Sequence, residues 1–152
     1  AEVEVTVTVT NTGAGHHVPT DHPGRHLLVL VAAMDAAGAA VAAVEGPTVP
    51  AWAGDLAGRS GTVHAKILED AVSGEWPVVS YWKQALIRAD TRIPAFGATT
   101  SRYRFPRPGN GELTVRARVL FRRLFEPLAT RYGWELGEVE MERREIVVRA
   151  DR

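Results

Sequence analysis

Four of the five histidines in this chain fall within sixteen residues, "NTGAGHHVPTDHPGRH", Asn11 to His26. Imidazole nitrogens bind zinc, copper and haem iron, and they move protons near neutral pH. Metal coordination, haem ligation, acid/base chemistry and plain turn structure are therefore all open for His16, His17, His22 and His26. Three of them together with Asp21 could supply a mononuclear zinc or copper site. The spacing argues otherwise: no His-Glu-x-x-His pattern occurs. His22 is held extended by Pro23. Adjacent His16 and His17 point apart in an extended chain, and His26 is carried into the next element. No tight structural metal is expected. The plain structural reading has His16 bonding across the loop, to Asp90 of a second cluster, "ADTRIP". There Asp90 and Arg92 share one side of an extended chain, suited to pinning a loop carbonyl or carboxylate. Arg25 could do the same beside the histidines. His64, the fifth histidine, reads as a strand residue.

Other chemistries are poorly supported. The chain has no cysteine, so disulfides, thiolate metal sites and covalent haem attachment through Cys-x-x-Cys-His are all excluded. Serine is scarce, and no Gly-x-Ser-x-Gly, phosphate-binding or dinucleotide glycine pattern is present. The expectation is no catalytic residue and no enzyme. Lys+Arg and Asp+Glu both number 18, so no net field favours nucleic acid. The local basic runs "SRYRFPRP" and "VRARVLFRR" read as solvent faces of strands. Trp52, Trp76, Trp82 and Trp134 read as packing and interface anchors rather than a sugar platform. No apolar run approaches a membrane span, so no membrane insertion is expected. The sequence opens at Ala1 and reads as a mature product or a piece of a longer protein.

The positioning elements are mostly strands. "EVEVTVTVT" alternates without error, with Val3, Val5, Val7 and Val9 on one face. "HLLVLVAAM" is a continuous apolar run and predicts a buried central strand. "DAAG" turns the chain and "AAVAAVEG" is its expected hairpin partner. Residues 46–62 read as a long loop, with two prolines and four glycines. "TVHAKILED" and Ala85 to Ala89 predict strands, with a loop or single helical turn around Trp76 and Trp82. "ATTSRYRF" follows, with Tyr103 and Phe105 on one face, then a turn in "PRPGNG". "ELTVRARVLFRRL" predicts a long strand with Leu113, Val115, Ala117, Val119 and Phe121 inward and Arg116, Arg118 and Arg122 outward. "EPLATRYG" reads as the one helix, stopped by Gly133, and "RREIVVRA" as the last strand. Residues 1–152 thus predict a single all-β domain, an antiparallel immunoglobulin-like β-sandwich of about seven or eight strands with one short helix.

The order "VTVTNTGAGHHVPT", an arginine, "LLVLVAAMDAAG", "HAKILED", "YWKQALIRADTRIP" and "VRARVLFRR" resembles the haem-free domain beside or after haem-binding segments in bacterial multihaem c-type cytochromes. That pattern runs roughly Asn-x-Gly-Ala-Gly-His-x-x-Pro-Thr-Gly, then Asp-Thr-Arg-x-x-Pro, and the likeness covers most of the chain. This chain departs from it at Asp21, where the pattern places Gly. The resemblance implies that His16, or failing that His17, is a distal axial ligand to a haem. With no covalent haem here, that haem c belongs to an adjoining segment or partner chain. It also implies a non-catalytic structural or docking domain of an extracytoplasmic (periplasmic or cell-surface) electron-transfer assembly. The alternative from the residues is a β-sandwich binding or adhesion module, with or without a metal; an enzyme with a His/Asp site comes third.

Overall fold

The computed structural model describes residues 2–107 and 111–149. Its strands are β1 (Glu2–Thr10), β2 (His26–Asp35), β3 (Ala40–Val41), β4 (Gly61–Asp70), β5 (Ala85–Asp90), β6 (Ala98–Pro106), β7 (Leu113–Arg122) and β8 (Glu138–Val148), with one helix, α1 (Glu126–Tyr132). They form two antiparallel sheets. β1 pairs with β6 alone, and the larger sheet runs β5-β4-β2-β7-β8 with β3 on the end of β2. The all-β sandwich expected from the alternating runs is present, with sheets of two and six strands.

β2 shows why its sequence is apolar without alternation. Val31 and Ala33 face the small sheet and pack with Val3, Val5, Tyr103, Phe105, Leu113 and Val115. Leu28 and Leu30 face the other way, onto Val49, Ala53, Leu56 and Leu120. A 3-10 segment, Ala51–Leu56, and Phe125 at the start of α1 close that second face. The large sheet is thus buried on both sides, though over different lengths, and its central strand must be apolar on both.

The same geometry corrects one side chain. The alternation in β7 holds, but Arg122 does not point to solvent; it is 2% exposed. Arg116 and Arg118 lie on the open part of that face, where they pair with Glu145 and Glu140 of β8. At Arg122 the 3-10 segment covers the face. Its guanidinium donates to the Ala53 carbonyl (3.2 Å) and to Asp55 (2.8 Å), and pairs with Glu138 (2.7 Å). Ala117, Val119 and Phe121 point toward the small-sheet side but are only half-buried.

Two further expectations are narrowed. Only Ala40–Val41 of "AAVAAVEG" pairs with β2; the chain then crosses to the small sheet, where Val44 donates to the Arg104 carbonyl. Residues 46–62 are not wholly loop, since they hold the 3-10 segment and the start of β4. The helix ends as expected, with Gly133 in the left-handed conformation at φ 65°. The expected "PRPGNG" turn lies largely outside the described residues.

Candidate functional site

The histidine loop leaves β1 at Asn11, and Asn11 shapes it. This side chain is 8% exposed. Its amide donates to the carbonyls of Ala14 (3.1 Å), His16 (2.9 Å) and Pro94 (3.0 Å), and its oxygen accepts from the Ala14 N–H (2.9 Å). The two N–H groups of one buried amide are thus shared among three carbonyls, and its oxygen meets one N–H, in a loop that would otherwise leave these groups to water. Immediately past the histidine pair, Val18 and Ile93 exchange backbone hydrogen bonds of 2.9 and 2.8 Å. The "GAGHHVPT" and "DTRIP" segments are therefore one unit.

Thr91 anchors that unit to the large sheet. Its hydroxyl donates to the Val63 carbonyl (2.9 Å) and accepts from the Ala65 N–H (3.1 Å), while its own carbonyl accepts from His64 Nδ1 (2.8 Å). Sequence reasoning passed over both Asn11 and Thr91. An asparagine ending a strand and a threonine between two charged residues look like ordinary turn chemistry. Their position between two segments that must meet was the available signal.

The histidines separate into two classes. His26 is fully buried, stacked on Phe125 at 5.1 Å and edge-on to Trp52 at 6.1 Å. Its Nδ1 donates to the Gly24 carbonyl (3.0 Å), and its Nε2 has no hydrogen-bond partner. Burial pushes its pKa down to about 4, against a smaller opposing effect of that hydrogen bond. His64 is 6% exposed and is also lowered by burial. His22 is half-buried and edge-on to Tyr81, with Nδ1 accepting from the Gly24 N–H (3.1 Å).

His16 and His17 are exposed. His16 does not reach Asp90. Its Nδ1 lies 3.0 Å from the His17 carbonyl, an oxygen that can only accept, so Nδ1 carries the proton. In the neutral ring the lone pair is then on Nε2. Beside it, Phe96 is 70% exposed at a left-handed φ of 53°, and its ring lies against Gly15. A bulky side chain in that region is unusual and marks a locally constrained loop.

The three charged residues singled out with the loop do make ion pairs, each close in sequence. Arg92 forks onto Asp90, with Nε–Oδ1 at 2.8 Å and NH2–Oδ2 at 2.6 Å. Arg92 holds the Asp90 carboxyl below the usual carboxylate range, and nearby His17 adds a smaller pull. Arg25 pairs with Asp21 at 2.9 Å. Asp21 itself sits at φ 71°, a backbone conformation that glycine adopts freely and that Asp or Asn tolerates better than other residues. Asp21 therefore fills a glycine-shaped position, and its carboxylate fixes the neighbouring arginine. Among the described residues, no group of three or more His, Cys, Asp or Glu side chains could hold a metal ion.

No family model matches this chain, and no curated protein matches it. Among solved structures it is similar to a penta-heme cytochrome c552 from Thermochromatium tepidum. The TM-score is 0.71 at 21% identity, over 97% of this chain. The chain spans 36% of that protein's length. The similarity shows that the whole of this sandwich is an architecture found within a larger cytochrome.

Proposed function

We propose that this is a non-catalytic docking domain of an extracytoplasmic multihaem c-type cytochrome assembly, in which His16 is the distal axial ligand to a haem carried by an adjoining segment or partner chain. The observation that carries the reading is the state of the His16 ring. A ligating imidazole needs one nitrogen with a free lone pair and the other fixed by a hydrogen bond, commonly to a backbone carbonyl. His16 has that arrangement, on an exposed ring whose loop is clamped by Asn11. A clamped loop matters because a ligand already oriented loses little freedom on binding iron. Phe96 adds an apolar surface beside it on which a flat macrocycle can rest.

The test is titration of the domain with a ferric haem peptide whose sixth axial position is open. The expected result is a low-spin, two-imidazole spectrum with the parent chain, lost in His16→Ala and kept in His17→Ala. The opposite pattern would move the ligand to His17. A spectrum indifferent to both changes, or an assembled complex whose haems all take their axial ligands from elsewhere, would refute the ligand role.

A further inference from the structure

At the histidine loop lies a shallow pocket lined by Thr20, Asp21, His22, Arg25, Lys66 and Arg92. Its three cations are not balanced. Arg25 is neutralised by Asp21 and Arg92 by Asp90. Lys66 stands across the strand pair from Asp90 in register, but among the described residues it makes no ion pair within 4 Å. The Asp90 carboxylate is instead gripped by the Arg92 fork. Each arginine retains N–H donors beyond those its carboxylate uses. His22 adds another: its Nδ1 accepts from Gly24, so its Nε2 carries the proton. The lining residues therefore carry several donors, one carboxylate already paired with Arg25, and one lysine without an ion-pair partner among the described residues.

The pocket's size selects the kind of anion. The free volume is about 10 Å³, room for roughly one water-sized oxygen. A small molecule cannot be enclosed, but one oxygen of a carboxylate borne on a larger body outside can enter. The pocket is close to the candidate ligand: Thr20 lies four residues after His16, a chain reach of at most about 14 Å. Tyr81, 78% exposed and edge-on to His22, extends an aromatic surface from the pocket.

We infer that Lys66, flanked by Arg25 and Arg92, takes a propionate carboxylate of the haem whose iron meets the histidine loop. The inference rests on the haem-docking reading, and it gives that docking a second attachment point and so an in-plane orientation. A lone imidazole–iron bond leaves the macrocycle free to rotate about it; a fixed carboxylate removes that freedom.

Iron-free protoporphyrin IX tests the site apart from iron ligation, because it keeps both propionates and has no metal. Binding is read from quenching of tryptophan fluorescence. The parent chain should bind the diacid about tenfold more tightly than its dimethyl ester. Lys66→Gln should erase that difference and Lys66→Arg should restore it, while His16→Ala should leave it unchanged. Equal affinity for acid and ester, or Lys66→Gln binding the acid as the parent does, would overturn the inference. The two readings fail separately. A low-spin haem-peptide spectrum that depends on His16, alongside an inert Lys66→Gln, sinks the propionate site and leaves the ligand role. A Lys66-dependent preference for the diacid with no low-spin spectrum does the reverse.

Discussion

Lowering the pH from 7.5 to 5.0 should cost this domain about 2 kcal/mol of stability through His26 alone. In the unfolded chain this imidazole titrates near its ordinary 6.5; in the fold it does so only near 4. Between those values the unfolded state binds a proton that the native state refuses, so stability rises with pH. The contribution is complete above roughly pH 7 and declines through the window toward 4. With both pKa values inserted in the linkage relation, the difference between pH 7.5 and 5.0 is about 2 kcal/mol, from about 1.4 kcal/mol per unit. The cause is structural: the ring sits between Phe125 and Trp52, where a charge has no water. Arg122 opposes protonation as well, and Glu138 only partly offsets it. Urea denaturation followed by tryptophan fluorescence measures the effect. His26→Phe loses the bond to the Gly24 carbonyl but also an unpaired buried nitrogen. Its stability at pH 7.5 should stay within about 1 kcal/mol of the parent. Its pH dependence should be shallower by about 2 kcal/mol over the window, leaving a residue from His22 and His64, which are lowered in the same direction. A variant with the parent's full slope would refute the reasoning.

Asn11→Ala removes the amide that three carbonyls and one N–H share and should destabilise by about 2–4 kcal/mol, with amide exchange accelerated first in residues 12–18. Arg122→Ala should cost about 3 kcal/mol in the same urea assay; Arg122→Met keeps an apolar stem and should cost about half of that. Val5→Asp puts an unpaired charge into the core between the sheets and should abolish cooperative unfolding in a thermal melt.

Strands with one covered face were legible because period-two alternation needs no knowledge of partners. β1 and β6 are of this kind, and Val3, Val5, Tyr103 and Phe105 are buried as their spacing implies, while Val7 and Val9 on the same face are only half-buried. β2 was legible for the opposite reason, since a run without alternation means cover on both faces. Arg122 was misplaced because alternation assigns a face and says nothing about how far along that face the cover extends. That cover is the 3-10 segment, whose short turns leave no periodic trace. The histidines show the same limit. All four sit in one loop by sequence, yet His26 belongs to the core and His16 to the surface. The difference lies in what Trp52 and Phe125 bring against one of them, from 26 and 99 residues away. Arg25, Asp90 and Arg92 were noticed for their charge. Their ion pairs are local, and the uncompensated charge is on Lys66, which alternation alone presents as an ordinary strand cation.

The pairing of β1 with β6 has a consequence for biosynthesis. Thr8 and Thr100 meet across that ladder although 92 residues separate them. At ribosomal speeds of about 5–20 residues per second, β1 waits on the order of 5–20 s before its partner exists. Throughout that interval the alternating valine segment has no strand to pair with, and such a segment recruits other chains. Glu2 and Glu4 put like charges at its start, so two nascent copies repel where they would begin to zip together. Replacing both with threonine would barely disturb the finished sandwich, where each is exposed, yet it should lower the yield of soluble protein during synthesis.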